Sequence, residues 1–200
     1  MTPLLKPLRP NSTRRHVRWH QLHGSATALA LAECMHNDSR LYVVATAGAR
    51  EMERMAAEIA FCQGGTRASQ ALMPLPDWEI LPYDQFSPHP DITSRRLQTL
   101  FELPDARGGC LILAADTLLQ RLPPVSYVQG RAFDLAVGQT LSVEPFRQRL
   151  ADAGYASVGQ VTAPGEFAVR GSLLDVYPMG AQAPLRIDLF GTEIEAIRRF

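Results

Sequence analysis

The residues that come closest to phosphate-binding chemistry form the run from Gly24 to Leu29. A nucleotide-binding loop needs glycines that present backbone amides, a lysine that reaches the terminal phosphates, and a Ser or Thr that holds Mg²⁺. The run supplies Gly24, Ser25 and Thr27, but it has neither the second glycine nor the lysine. Because nothing in it would neutralise phosphate charge, we interpret the run as the N-terminus of a helix.

Asp116 also bears on nucleotide binding. It follows the apolar run Leu111–Ala115, which is where an acid that holds Mg²⁺ stands in nucleotide-binding proteins. An aspartate after a buried strand is also a common cap of the next helix, and Thr117 follows at once. We favour the cap. The alternative is an active nucleotide hydrolase that uses Gly24 and Asp116.

Metal-binding side chains lack ligand spacing. His16 and His20 would share a helix face, but no Cys or carboxylate stands at a matching distance along the chain. Cys34, Cys62 and Cys110 are odd in number, far apart and set among apolar residues. We therefore expect no metal site and no disulfide, only buried free thiols.

A second kind of chemistry, protein recognition, is indicated by Arg186, Asp188 and Phe190. They alternate with the aliphatic residues Leu185, Ile187 and Leu189. Because alternate side chains of a strand share a face, the aliphatic set is expected in the core and the other set outside. Arginine forks and aromatic rings are favoured at interface hot spots, and Arg170, near the neighbouring strand, is expected to join them. The alternative is a solvated face with a weak Arg186–Asp188 pair.

Overall charge limits the partners. Twenty basic and twenty acidic residues cancel, so no summed field favours duplex nucleic acid or an anionic membrane. No apolar run is long enough to span a bilayer, and no secretion signal begins the chain, so we expect a cytoplasmic location without membrane contact. Residues 1–17 are rich in Arg and Pro and are interpreted as a basic flexible tail, with a weak nucleic-acid contact as the alternative.

Hydrophobic periodicity predicts alternating strands and helices from residue 18 to 130, which implies a parallel sheet. The predicted elements are a helix from Gly24 to about Met35; a strand over Leu41–Ala45; a helix with the stripe Met52, Met55, Ala56 and Ile59, closed by Gly64-Gly65; a helix over Thr93–Leu103 with Leu97, Leu100 and Phe101 inward; and a strand over Cys110–Ala115.

The pattern changes around Pro123-Pro124, and we place a domain boundary near Gly130. Residues 131–200 are predicted to form an α+β domain. Its predicted elements are a helix capped by Ser142 and ended by Gly154, whose Phe146, Leu150 and Ala153 share a face, and strands over Ser172–Tyr177 and Leu185–Phe190. Because the pattern has no closing turn before Phe200, we expect a fragment whose second domain is truncated at its C-terminal end.

Two sequence blocks carry a family resemblance. The block from Leu75 to Asp91, which contains Leu75-Pro76-Asp77-Trp78-Glu79-Ile80-Leu81-Pro82-Tyr83-Asp84 and is followed closely by Ser94-Arg95-Arg96-Leu97, resembles the bacterial transcription-repair coupling factors, the Mfd family. The block from Gly165 to Pro178, continued from Leu185 to Glu195, is similar to the signature shared by the UvrA-binding domains of UvrB and Mfd. UvrB carries a DNA-clamping hairpin after its tyrosine-rich block, and too few residues follow Tyr83 here to form one. A UvrB-like binder of damaged DNA is therefore the less favoured alternative.

The resemblance implies a degenerate P-loop, helicase-like parallel-sheet domain followed by an α+β UvrA-binding domain. It places UvrA contacts at Arg170, Arg186 and Phe190, with Asp188 in the same row. It also makes Gly24, Ser25 and Thr27 a vestigial phosphate loop that binds no cofactor.

The same resemblance implies that the chain recruits UvrA in transcription-coupled nucleotide excision repair. Longer relatives are expected to be ATP-dependent translocases on double-stranded DNA that displace stalled RNA polymerase. ATP, Mg²⁺, DNA and RNA polymerase are expected to bind outside these residues, and no catalysis is expected within them. The UvrA surface is expected to be masked until a stalled polymerase is engaged.

Overall fold

The computed structural model describes residues 6–64, 71–81 and 83–200. Residues 1–5 of the predicted tail, Gly65 at the predicted helix end and Pro82 lie outside these ranges. Two compact units are present, Met1–Asp77 with Glu102–Arg121, and Trp78–Phe101 with Leu122–Phe200. Each unit consists of two separate stretches of the chain, so its bounds do not correspond to the single predicted limits. The predicted domain limits at residues 17 and 130 stay predictions.

The first unit contains a parallel sheet and two helices. Its elements are α1 (Ala26–His36), β1 (Leu41–Thr46), α2 (Ala49–Cys62), β2 (Leu72–Leu75) and β3 (Gly109–Ala114). The strand order is β1-β3-β2 with all neighbours parallel, as the strand-helix alternation predicts. α2 buries Met52, Met55 and Ile59, whose spacing of three and four places them on one helix face.

β3 is buried along its whole length because it is the central strand, and a continuous apolar run is typical of that position. The strand β2 was not predicted. It lies in a proline-rich stretch, and Pro74 has no N–H to donate to a ladder. β2 tolerates this residue because it is an edge strand.

One helix of the second unit differs from its predicted packing. Helix α3 (Pro90–Glu102) was predicted to turn Leu97, Leu100 and Phe101 inward. Its buried residues are instead Ser94, Arg96 and Thr99. The Arg96 guanidinium lies 4.1 Å from the centre of the Trp78 ring, and the Ser94 hydroxyl accepts a hydrogen bond from the Gly180 N–H at 2.7 Å. Leu97 and Leu100 are half-buried and Phe101 is exposed, so the predicted orientation is wrong for Phe101. Polar side chains with such partners can occupy the buried positions of the helix.

The rest of the second unit combines two helices with a mainly antiparallel sheet. The remaining elements are α4 (Val125–Gln129), α5 (Val143–Asp152), β4 (Ala156–Ser157), β5 (Glu166–Arg170), β6 (Leu173–Val176), β7 (Leu185–Phe190) and β8 (Glu193–Arg199). The strand order is β4-β5-β6-β7-β8, and only β4–β5 is parallel. α5 ends at a left-handed Gly154 as predicted, but the Ser142 side chain makes no capping hydrogen bond.

The core of this unit lies between α5 and one face of the sheet. Phe146 and Leu150 of α5 belong to the same buried cluster as Leu174, Ile187 and Ile194 of the strands. The inward orientation predicted for the aliphatic residues of β7 is confirmed, since Ile187 and Leu189 are buried in that cluster. Among the described residues, no helix is long and apolar enough to cross a membrane.

The three free thiols should differ in reactivity. Burial raises the pKa of Cys110 to about 12, and it also raises the pKa of Cys34 and of Cys62. Cys34 and Cys110 are buried, whereas Cys62 is partly exposed. Because the thiolate is the reactive form, we expect maleimide at pH 7.5 to label Cys62 first in the native protein and all three thiols in denaturant.

Mass spectrometry of labelled peptides would measure these reactions. The Cys62→Ser variant is the control and should stay almost unlabelled until it unfolds. Rapid labelling of Cys110 in the native protein would contradict the packing of β3.

Candidate docking surface

The sheet face that points away from α5 carries the residues predicted for recognition. We call this surface the outer face and define it by Arg170, Asp175, Arg186, Asp188, Phe190 and Arg198. The strand register places these side chains on the side opposite Leu174 and Ile187. The alternation predicted for β7 therefore holds, and the neighbouring strands add residues to the same surface.

Arg186 is held in a fixed orientation by Asp175. The two residues are direct partners in the β6–β7 register, and Arg186 Nε and Nη2 donate to Asp175 Oδ1 and Oδ2 at 2.7 and 2.8 Å. The hydrogen bonds that Arg186 donates to the Asp175 carboxylate raise the pKa of the guanidinium. The Asp175 side chain is 7% exposed and that of Arg186 37% exposed, so the carboxylate is covered while part of the guanidinium faces solvent.

Asp188 has a different partner from the one that the sequence suggested. Its carboxylate accepts a hydrogen bond from Arg198 of β8, and the predicted alternative of an Arg186–Asp188 pair is wrong. Asp175 lies directly opposite Arg186 across the β6–β7 pair, whereas Arg198, whose direct partner in β7 is Arg186, reaches Asp188 diagonally across the β7–β8 pair. The Asp188 side chain is 12% exposed, which makes it a support for Arg198 and leaves it little surface for a partner.

Arg170 and Phe190 are the most accessible of the four predicted residues. Arg170 ends β5, is exposed, and donates to the Gly159 carbonyl. Phe190 ends β7 with 80% of its surface exposed. Arg170 and Asp188 are both register partners of Leu173 in β6, so the two residues lie in one row across the sheet. Phe190 lies in the next row of the same face, two residues beyond Asp188 along β7.

The resulting surface combines positive charge with aromatic area. Arg170, Arg186 and Arg198 expose guanidinium groups, while the carboxylates between them are covered. The Phe200 ring adds apolar area, with the Arg186 Cζ 4.9 Å from its centre. A partner that presents carboxylates around an apolar patch would be complementary to it.

Sequence reasoning missed Asp175, Arg198 and Phe200. The signal that would have identified the first two is the register of two hairpins. In the first hairpin, residues 177–184 connect β6 to β7 and bring Asp175 opposite Arg186. In the second, the two-residue turn Gly191-Thr192 connects β7 to β8 and brings Arg198 opposite Arg186.

Among the described residues, those that line the groove beside the proposed vestigial phosphate loop include neither Lys nor Arg. Gly24 adopts a φ of +56°, Ser25 precedes α1 without a side-chain cap, and Thr27 lies in the first turn of the helix. The adjoining groove of about 760 Å³ is lined by Ser25, Ala26, Leu29, Ala57, Glu58, Phe61 and Cys62. These lining residues are mostly apolar, and their one carboxylate, Glu58, already pairs with Arg54, so the described lining offers no unpaired positive charge to phosphate.

Asp116 behaves as the cap that the sequence favoured. Its Oδ1 accepts a hydrogen bond from the Thr117 N–H at 2.8 Å, at the start of a short 3₁₀ helix. Within the described ranges, no cluster of three or more His, Cys, Asp or Glu residues could hold a metal ion.

The chain is similar to known proteins along its whole length. The family described as the UvrB interaction domain matches residues 133–200, which contain α5 and all of the outer face. The transcription-repair-coupling factor of Haemophilus influenzae is 39% identical over 199 residues, covering 100% of this chain and 17% of the relative. The corresponding protein of Escherichia coli is 42% identical over 180 residues, with 90% of this chain and 15% of the relative covered. The protein of the same name from Myxococcus xanthus is 34% identical over 190 residues. The chain thus spans about one sixth of the length of these curated relatives.

Proposed function

The chain belongs to the transcription-repair-coupling factor family, and on that premise we propose that its outer face docks the DNA-repair protein UvrA. The observation that carries the proposal is the position of Arg170, Arg186 and Phe190 on one accessible sheet face. These are the positions at which the family resemblance implies UvrA contacts. The outer face also lies entirely within the segment that matches the UvrB interaction domain.

The ion pairs of the surface support a docking role. A guanidinium that is already fixed by a carboxylate loses less conformational freedom when a partner binds than a free one does. Asp175 fixes Arg186 in this way, and Asp188 does the same for Arg198. We therefore assign Asp175 and Asp188 as residues that position the arginines, and Arg170, Arg186, Arg198 and Phe190 as the contacting residues.

Binding of the purified chain to purified UvrA, followed by isothermal titration calorimetry and gel filtration, tests this function. We expect a saturable complex whose affinity falls as salt rises, because charged groups contribute to the contact. The Arg147→Ala variant removes an exposed arginine of α5 that pairs with Glu144 away from the outer face, and it should bind like the wild type. No detectable complex at tens of micromolar would refute the proposal.

The Gly24 loop is proposed to have lost nucleotide binding. A bound ligand raises the melting temperature in proportion to the logarithm of its concentration over its dissociation constant. We expect millimolar ATP with Mg²⁺ to leave the melting temperature unchanged and to yield no phosphate. ATP turnover that disappears in the Asp116→Asn variant would establish the alternative, an active hydrolase.

The wider role is proposed from the family alone. UvrA docking would recruit the excision machinery in transcription-coupled nucleotide excision repair, in the cytoplasm. ATP-driven movement on double-stranded DNA and displacement of stalled RNA polymerase, with Mg²⁺ as cofactor, are assigned to the parts of the relatives that this chain does not match. Masking of the outer face before a polymerase is engaged belongs to the same set of proposals.

A further inference from the structure

The N-terminal segment of the first unit forms a closed loop against that unit. The Trp19 indole Nε1 donates to the Leu8 carbonyl at 2.8 Å and joins the two ends of the loop. Arg9 Nη1 donates to the Asn37 carbonyl at 3.3 Å and lies 3.5 Å from an Asp38 oxygen, just beyond α1. These contacts attach the segment to the first unit at defined residues. The predicted flexibility of the tail stays a prediction.

The tip of this loop is a turn held by Asn11. The Asn11 Oδ1 accepts hydrogen bonds from the Thr13 and Arg14 N–H groups at 3.0 and 2.6 Å, and the Asn11 N–H donates to the Arg14 carbonyl at 2.8 Å. Asparagine favours such turns because its side chain reaches the backbone two residues ahead. The turn places Arg14 and Arg15 at an exposed position.

The loop carries a local charge that the whole chain lacks. Residues 1–32 contain five basic residues, Lys6, Arg9, Arg14, Arg15 and Arg18, and the first acidic residue of the sequence is Glu33. Arg9 forms an ion pair with Asp38. Arg14, Arg15 and Arg18 are exposed and form no ion pair with any part of the chain that the structure describes. Although the net charge of the whole chain is zero, the surface of this loop is strongly positive.

A ligand for this surface must supply closely spaced negative charges without requiring a pocket. Double-stranded DNA carries one phosphate per about 1.7 Å of helix axis, and phosphate contacts by arginine position a protein without reading sequence. Arginine forks bind phosphate oxygens in pairs, which a turn with two adjacent arginines can use. We propose that the loop of residues 8–19 is a sequence-independent contact for the phosphate backbone of duplex DNA, separate from the outer face.

Fluorescence anisotropy with a labelled duplex of about 25 base pairs, over a series of salt concentrations, tests this contact. Non-specific affinities of this kind lie on the order of 10⁻⁵ M at physiological salt and increase steeply as salt falls. For the double variant R14Q/R15Q we expect affinity at low salt to fall about tenfold. The slope of log K against log salt should decrease by about 2, because two phosphate contacts are removed.

The matched control is the double variant R54Q/R147Q, which removes the same charge from two exposed arginines that have glutamate partners. We expect it to bind DNA like the wild type. Equal losses in the two double variants would mean that net charge, and not the loop, governs binding, and would overturn the proposal. So would unchanged affinity of R14Q/R15Q, or tighter loop-dependent binding of poly-glutamate than of the duplex, which would indicate an acidic protein as the partner.

Discussion

Replacement of Phe190 by Ala is expected to weaken UvrA binding about 30-fold and to leave folding nearly unchanged. The ring is 80% exposed, so it contributes little to the core, while at an interface it would supply apolar area that no neighbour replaces. Arg170→Ala should weaken binding by a similar factor, since its side chain is also exposed. Calorimetric titration with UvrA and thermal melting of the same samples would measure both effects.

Arg186 needs a more careful variant, because its side chain also serves the fold. Arg186→Ala would leave the covered carboxylate of Asp175 without a partner and should lower the melting temperature as well as binding. Arg186→Lys keeps the charge and a single contact but loses the two-pronged geometry, so we expect a large loss of binding with a small change in melting. The assignment fails if Phe190→Ala, Arg170→Ala and Arg186→Lys all bind UvrA as the wild type does.

The control for this set is Ile187→Ala on the opposite side of β7. Ile187 is completely buried, so its truncation should cost about 2 to 5 kcal/mol of unfolding free energy. Loss of binding in that variant should follow the loss of structure, unlike the loss expected for Phe190→Ala.

Replacement of Gly109 by Ala is expected to disrupt the sheet of the first unit. Gly109 begins β3 with a φ of +99°, a region that residues with a side chain rarely adopt. A Cβ at this position would lie 2.2 Å from the carbonyl oxygen of Ala71, which accepts a hydrogen bond from the Cys110 N–H just before β2 begins. Because the obstacle is backbone, β2 would have to move away from β3. We expect a loss of about 3 kcal/mol or more, the sum of backbone strain and steric displacement.

Urea denaturation followed by circular dichroism would measure this loss. Gly48→Ala is the control in the same unit, since Gly48 has an extended backbone and open space around the new Cβ. It should cost at most about 1 kcal/mol, as expected for a change at a helix N-cap. An unfolding midpoint of Gly109→Ala equal to that of the wild type would show that β2 and β3 are not packed as described.

The elements that could be predicted from the sequence are those whose pattern is local. α2 shows a helical stripe and β7 shows strict alternation, so both were predicted with their buried faces. The burial of Arg96 in α3 could not be predicted, because it depends on Trp78, which lies outside the helix. β2 was missed since a four-residue strand that contains a proline has almost no local signal.

The candidate site divides in the same way. Alternation within β7 was enough to place Arg186, Asp188 and Phe190 on one face. The residues that hold the arginines in position depend on pairing between strands, which no spacing along a single strand reveals. Asp175 and Arg198 therefore emerged only with the register of β6, β7 and β8.

Amide hydrogen exchange of the chain, alone and saturated with UvrA, tests the docking surface most directly. Contact with a sheet face suppresses the local openings through which its amides exchange. We predict slower exchange with UvrA in peptides that cover residues 166–176 and 185–200, and no change in peptides that cover residues 41–62. Protection confined to residues 41–62, or the absence of protection in the strands of the outer face despite a measurable complex, would contradict the assignment of this face to UvrA.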